Sequence, residues 1–419
     1  MTSTRRDLEQ ALECDLDQVL MTERELWIDG PPHELFARLR SECPVHWTSR
    51  VGEYPRERGY WSITRPDDIH SVSRDWRTFS SELGGVTAVV DVFPLELMRA
   101  MFIGMDPPKH DRLKMLFQAG FTPKRIAAHE PAIRQIVAGA LDRLKGRDTC
   151  DLVADVAQPV VSRVIGSFMG VPEEDDAIWA KLLNASLSAG DPDIAPEGME
   201  SIMAHEIPEI FRRCTDMIAA RREHPTEDLT SVLVHAEIDG HKLEEHEIVM
   251  GFFLLMAAGN DSTKATYCSG LKALMEHPEE RRLLLDDPSL IPSAVEESLR
   301  MFPAFAHFRR TATCDAEVGG QPIRQGDKVV MWYVSSNRDE SRYEEPDRFD
   351  VRRNPEHQAF GAGGRHFCLG TALARLELRI MFEETLARYP KMDIAGRTTY
   401  VESGFLNQLK TLPVALNAG

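Results

Sequence analysis

The sequence predicts a mainly α-helical protein with a small β region, and three observations predict it. After residue 368 the apolar residues Leu369, Ala372, Leu373, Leu376 and Ile380 recur at intervals of three and four, the stripe of an amphipathic helix. A second helical pattern runs from Glu244 to about Glu276, and amphipathic stretches fill the span from Thr122 to about Val171. Strand signals are confined to Tyr60–Ile63 and to the alternating stretch from Ala316 to Tyr333.

Taken in order, the first sixty residues hold an acidic helix candidate. Tyr60, Trp61 and Ile63 follow as a strand that leads into a helix start at Thr64 to Asp68. Val86 to Met105 is apolar and breaks at Pro94 and Gly104. Its Met98, Met101 and Met105 are flexible gap-fillers that suit a core or a pocket wall equally well. Pro107 and Pro108 stop one element and pre-set the first turn of the next, in which His110 and Lys114 lie four apart on one face. On its own that face reads as a solvated basic helix. Thr122 and Pro123 are an N-cap and first-turn proline, and Pro131 and Pro159 punctuate the helices beyond. Residues 188–198 are a loop by their Pro and Gly content.

The middle of the Glu244 helix breaks a local rule. Ala258-Gly259-Asn260-Asp261-Ser262-Thr263 puts a glycine, worth roughly 1 kcal/mol against alanine, beside residues that compete for backbone hydrogen bonds. Such conflicts often mark a site. A notch for close helix packing explains the glycine but not the adjoining acid and alcohol. Further on, Glu297 and Arg300 face the same way on a helix. Gly319-Gly320 and Gln325-Gly326 separate short strands, and Ser403 to Asn407 forms a turn with apolar residues.

Length and composition bound the class. A chain of 419 residues suggests two or three domains, and 42% hydrophobic content is ample for a large core. No run of about eighteen apolar residues can span a membrane, and the amino terminus lacks the apolar stretch of a signal peptide. Seven scattered cysteines, never spaced as Cys-x-x-Cys, argue against a disulfide framework or zinc cluster and suit a reducing compartment. A net charge of −18 disfavours nucleic acid and anionic membrane as partners. The expectation is a soluble, cytoplasmic protein.

The chemistry centres on Phe360 to Gly370, Phe-Gly-Ala-Gly-Gly-Arg-His-Phe-Cys-Leu-Gly. Gly361, Gly363 and Gly364 let the backbone take positive φ and approach a flat ligand. Cys368 stands at a helix start, where unpaired N–H groups and the dipole favour thiolate. A rigid thiolate with no second cysteine nearby fits an axial ligand to haem iron, with Arg365 and His366 supplying charge beside a propionate.

Phe360, Gly361, Gly363, Arg365, Cys368 and Gly370 together resemble the haem-binding loop of the cytochrome P450 family. The resemblance extends along the chain and implies one domain over residues 1–419, a helical triangular prism with haem b between the 244–276 helix and the 360–370 loop. It implies that His110, Lys114 (where the family usually has Arg) and Arg309 reach the propionates. Ala258 and Gly259 would admit the macrocycle and O2. Asp261 and Ser262 would pass protons, with Ser262 standing where the family usually has Thr and Thr263 next to it. Phe305, Phe405 and Leu406 would face substrate, residues 188–198 would belong to a lid, and Glu297, Arg300 and Arg348 would form a structural triad.

The reaction so implied is insertion of one oxygen atom from O2 into an unactivated C–H bond, with electron donation from Cys368 favouring cleavage of dioxygen. The chain has no nucleotide-binding fingerprint, so NAD(P)H electrons are expected through a separate ferredoxin and its reductase. Lys109, Arg112 and Arg365 would form a local positive patch for it on a monomer. A gas sensor needs no acid-alcohol pair, which argues against that alternative. A peroxide-driven enzyme would place a basic residue near Ser262, and Lys264 is too far round the helix. Residues 353–357 and 404–413 resemble the bacterial branch that oxidises steroids, terpenoids and methyl-branched lipids.

Overall fold

The structure is a computed structural model that describes residues 3–52, 54–88, 94–118, 120–238 and 241–417. Its axis is the Glu245–Glu276 helix, started by a reciprocal capping box between Glu244 and Glu247. That helix is buried nearly all round, which its evenly apolar composition requires. It packs against the helices Gln158–Met169, Asp176–Leu187, Glu206–Glu223, Ile291–Met301 and Thr371–Arg388. A Cβ on Gly259 would lie 2.7 Å from Ile165, so this glycine is needed for the approach of the Gln158–Met169 helix.

A five-stranded sheet lies to one side, in the order Val45–Val51, Tyr54–Ile63, Lys328–Trp332, His307–Ala312, Phe79–Ser80. All its pairings are antiparallel except Tyr54–Ile63 with Lys328–Trp332. The strand predicted at Tyr60 is thus longer than expected and has a partner on each side. His307–Ala312 pairs Arg309 with Val330 and Arg310 with Val329, so its residues alternate between the two faces of the sheet.

Pro131 and Pro159 occupy first turns and begin helices instead of interrupting them. The helical run from Thr122 is broken by the strand Thr149–Asp151, which pairs with Pro413–Ala415. Residues 188–198 form the expected loop between Asp176–Leu187 and Gly198–Ala204. Asp191 ties that loop down by accepting from the Glu402 N–H (3.0 Å) and the Lys410 ammonium (3.0 Å). Within the apolar segment from Val86 to Met105, residues 89–93 lie outside the described residues. No helix among the described residues is long and apolar enough to cross a membrane.

Candidate active site

A cavity of about 330 Å³ lies between the long helix and the cysteine loop. The loop is built by its glycines: Gly361, Gly363 and Gly364 have φ of +91°, +85° and +79°, values that a side chain would strain. The turn closes when the Cys368 N–H donates to the Phe360 carbonyl (2.9 Å). The Thr371–Arg388 helix begins immediately after, with Gly370 as its N-cap. Cys368 counts as exposed by surface area because it faces the cavity, while protein encloses it on every other side. Burial pushes its thiol up; the Gly370 N–H, Thr371 and the charges of Lys114 and Arg375 pull the other way.

Opposite the sulfur, the long helix presents Ala258, Gly259 and Ser262 to the cavity. The Ser262 hydroxyl donates to the Ala258 carbonyl (2.8 Å). Thr263 also lines the cavity and bonds Glu377, a fully enclosed carboxyl on the post-cysteine helix. Burial pushes Glu377 up to about 8, and its Oε1 has no partner among the described residues. Asp261 does not line the cavity. It is ion-paired with Lys264, whose ammonium also donates to Gln158 Oε1 (2.7 Å) and Asn184 Oδ1 (3.2 Å). Asn260 and Ser162 complete this buried polar net between three helices.

Haem is not part of the structure, but the residues present fit it. At the cavity edge stand buried donors that are only partly satisfied. His110 is 1% exposed and its Nε2 has no partner among the described residues, while Nδ1 pairs with Asp111 (3.0 Å). Arg310 donates to the Arg309 carbonyl (2.7 Å) and forms no ion pair among the described residues; burial lowers its pKa from the usual arginine range, while Tyr333 and Asp106 pull the other way. His366 packs against His110 in a tilted arrangement with ring centroids 4.2 Å apart and shares a hydrogen bond with Ser81 (3.2 Å). Uncompensated buried cations and donors of this kind await carboxylates, and a haem brings two.

Several expected residues stand elsewhere. Arg309 does not line the cavity and instead donates to the Thr87 carbonyl and the Thr311 hydroxyl, because neighbouring strand residues face opposite ways; Arg310 is the arginine that lines it. Lys114 reaches the cavity, yet its ammonium clamps the carbonyls of Arg365 and Phe367. Arg365 itself turns outward to Asp111 (2.9 Å). Leu406 bridges Phe305 through its backbone and does not line the cavity, whereas Phe305 and Phe405 do. The triad closes through Arg353, whose Nε donates to Glu297 (3.1 Å); Arg348 is half exposed, pairs with Glu345 and offers only its carbonyl to Arg300. Phe360, Gly370, Ala258 and Gly259 line the cavity as expected.

Sequence reasoning missed Arg310, Phe308, Glu377 and Arg353. Period-two alternation from Phe308 was the available signal for Arg310. Nothing local distinguishes Glu377 from the other acids of its helix.

Residues 285–391 match the family described as Cytochrome P450. The chain is 37% identical over 387 residues to a methyl-branched lipid omega-hydroxylase of Mycobacterium tuberculosis, covering 90% of each. It is 32% identical over 407 residues to linalool 8-monooxygenase of Pseudomonas putida, covering 94% of this chain and 97% of that one. A Mycobacterium marinum cytochrome P450 solved in complex with pseudoionone superposes with a TM-score of 0.87 at 36% identity, over 95% of this chain and 98% of that one.

Proposed function

We propose, from the premise that this chain belongs to the cytochrome P450 family, that it hydroxylates an elongated apolar molecule of terpenoid, steroid or methyl-branched lipid type. As a member of the family it is a haem-thiolate monooxygenase that takes O2 as co-substrate and NAD(P)H electrons through redox partners. The haem, once bound, supplies the oxygen-inserting chemistry. The chain's residues supply the rest.

The observation that carries the substrate class is the wall of the cavity beyond the haem position. Phe305, Phe308 and Phe405 pack in tilted and edge-on pairs with centroids 5.1–5.6 Å apart. Val86, Met98 and Leu254 continue that apolar lining, and the Asp176–Leu187 helix adds Ser186 and Leu187. A flexible methionine and a cluster of rings accept branched hydrocarbon and exclude water. The relatives that act on linalool and methyl-branched lipids support the same class. Optical titration of the haem-loaded protein with a branched fatty acid, a monoterpene alcohol and a steroid tests it. Loss of iron-bound water with at least one is expected; silence with all three, alongside a response to a charged aromatic, would overturn the assignment.

In this reading Cys368 holds the iron, and His110, His366 and Arg310 hold the propionates. Asp261 and Ser262 would relay protons toward the cavity, with Lys264 holding Asp261 in position. One domain spans the whole chain, and the seven unpaired cysteines support a cytoplasmic location for a monomer.

The electron partner is a ferredoxin that docks on the face carrying the cysteine loop. Exposed Met115 and Phe367 supply an apolar centre there, and Lys109, Arg112 and Arg365 a basic rim. Arg112 is tied to Glu247 and Arg365 to Asp111, so the rim is less positive than its sequence suggests. Arg112→Glu is expected to lower kcat/KM for reduced ferredoxin about tenfold at low salt, converging with the parent protein as salt screens the rim.

A further inference from the structure

Glu296 stands beside the triad residue Glu297 on the Ile291–Met301 helix, yet it serves a different structure. Its carboxylate accepts from Arg375 through Nε (2.6 Å) and Nη2 (2.8 Å), a bidentate pair, and shares a hydrogen bond with His357 Nε2 (3.1 Å). Both partners then close on one ring. The Arg375 guanidinium lies 4.8 Å over the Phe360 centroid, and the His357 ring is 5.7 Å from it. Phe360 lines the cavity, and its carbonyl receives the Cys368 N–H.

One carboxylate therefore holds the two groups that fix the ring beside the iron-binding sulfur. Its charge also cancels most of a cation that would otherwise act across that ring on the thiolate. At half exposure the guanidinium is worth little to the fold on its own. Across an apolar ring to an enclosed sulfur, by contrast, its field is weakly screened. Burial alone would push the Glu296 carboxyl up, but the Arg375 and His357 donors outweigh it and hold Glu296 well below the usual carboxylate range, at about 2, so it carries its charge at every working pH.

We propose that the Glu296–Arg375 pair is an electrostatic trim for the haem thiolate, with Glu296 as a positioning residue that keeps Phe360 in place and holds the local charge near zero. This rests on Cys368 being the iron ligand. Removing Glu296 leaves a net positive charge near the sulfur, which weakens its donation and favours the reduced iron. Removing Arg375 leaves a net negative charge and does the opposite.

The test is the iron midpoint potential of the haem-loaded protein, measured for Glu296→Gln, Arg375→Gln and the double variant at low and high salt. The expected result is a positive shift for the first, a negative shift for the second and a return toward the parent value in the double variant, with both single shifts shrinking at high salt. Shifts of the same sign, or no shift in either, would overturn the proposal. The ferrous carbon monoxide Soret band serves as the control. If it stays at the thiolate position in all variants, the shifts report trimming; if it moves to the position of a neutral ligand in Glu296→Gln alone, the pair serves as a strut for the loop and the trimming role is refuted. A Soret band at the neutral-ligand position in the parent protein would refute the haem-thiolate reading itself.

Discussion

Two buried carboxylates flank the same stretch of the long helix, and the protein treats them oppositely. Asp261 is 1% exposed and sits in a net of polar side chains, bound to Lys264. Glu377 is 3% exposed and has one hydroxyl partner, Thr263, on a wall otherwise apolar. The first has a lysine ammonium beside it, whereas desolvation keeps the second neutral up to about pH 8. The paired acid stands just outside the cavity and the neutral one on its lining. An ionised carboxylate on that lining would repel the thiolate of Cys368, whereas a protonated one does not. The proton relay is therefore assigned to Asp261, whose polar neighbours can exchange protons with it, and not to Glu377 on its apolar wall.

Breaking the pair should give the largest effect. Lys264→Ala leaves Asp261 as an uncompensated buried charge and is expected to cost about 3–5 kcal/mol of stability. Thermal unfolding of the haem-loaded protein measures it, and adding Asp261→Asn should restore a large part. Full stability in the single variant would mean that Asp261 is not held by Lys264.

Asp261→Asn alone keeps hydrogen-bonding capacity but not the proton. Turnover is expected to fall on the order of 100-fold, the usual worth of a positioned acid or base, while substrate binding changes little. A solvent isotope effect on the residual rate should rise. A variant with parent turnover would remove Asp261 from the proposed relay.

Glu377→Gln sharpens the other side of the comparison. The folded pKa of about 8 lies above the unfolded value of 4.5, so the folded state keeps a proton that the unfolded chain releases between those limits. Stability therefore falls as pH rises through that window, by at most about 1.4 kcal/mol per pH unit from this group. The glutamine variant should lack this slope and gain most over the parent above pH 8. Parallel stability curves from pH 5 to 9 would show that Glu377 is ionised in the fold.

The sequence made the long helix, the loop at residues 188–198 and the cysteine turn legible because each rests on local rules: a capping pattern, a Pro and Gly cluster, and glycines that need positive φ. The same rules singled out Cys368 and Ser262, both of which line the cavity, whereas His110 was singled out only by the family resemblance. Arg310 lines the cavity and Arg309 does not because strand alternation, a property of the paired sheet, sets which of two neighbours faces inward. Arg348 failed for a related reason. Arg353 reaches Glu297 only after the chain has turned back through Asp350 and Val351, both tied to carboxylates of other helices. Glu377 is invisible in the same way: its solitude is created by the side chains that surround it, far apart in sequence.

Ser262 gives the smallest expected effect and the finest test of the contrast. Its hydroxyl spends its proton on the Ala258 carbonyl (2.8 Å), so it must rotate before it can pass a proton inward. With one heavy atom on Cβ, that rotation is easy, whereas threonine would be held more narrowly by its methyl group. Ser262→Thr should therefore change turnover by no more than about threefold and lower the fraction of electrons lost as peroxide, while Ser262→Ala should raise that loss with substrate still bound. Peroxide formed per NAD(P)H consumed is the measurement. Equal peroxide release from serine, threonine and alanine would place the proton path elsewhere, and Thr263 with Glu377, on the same wall, would become the group to test.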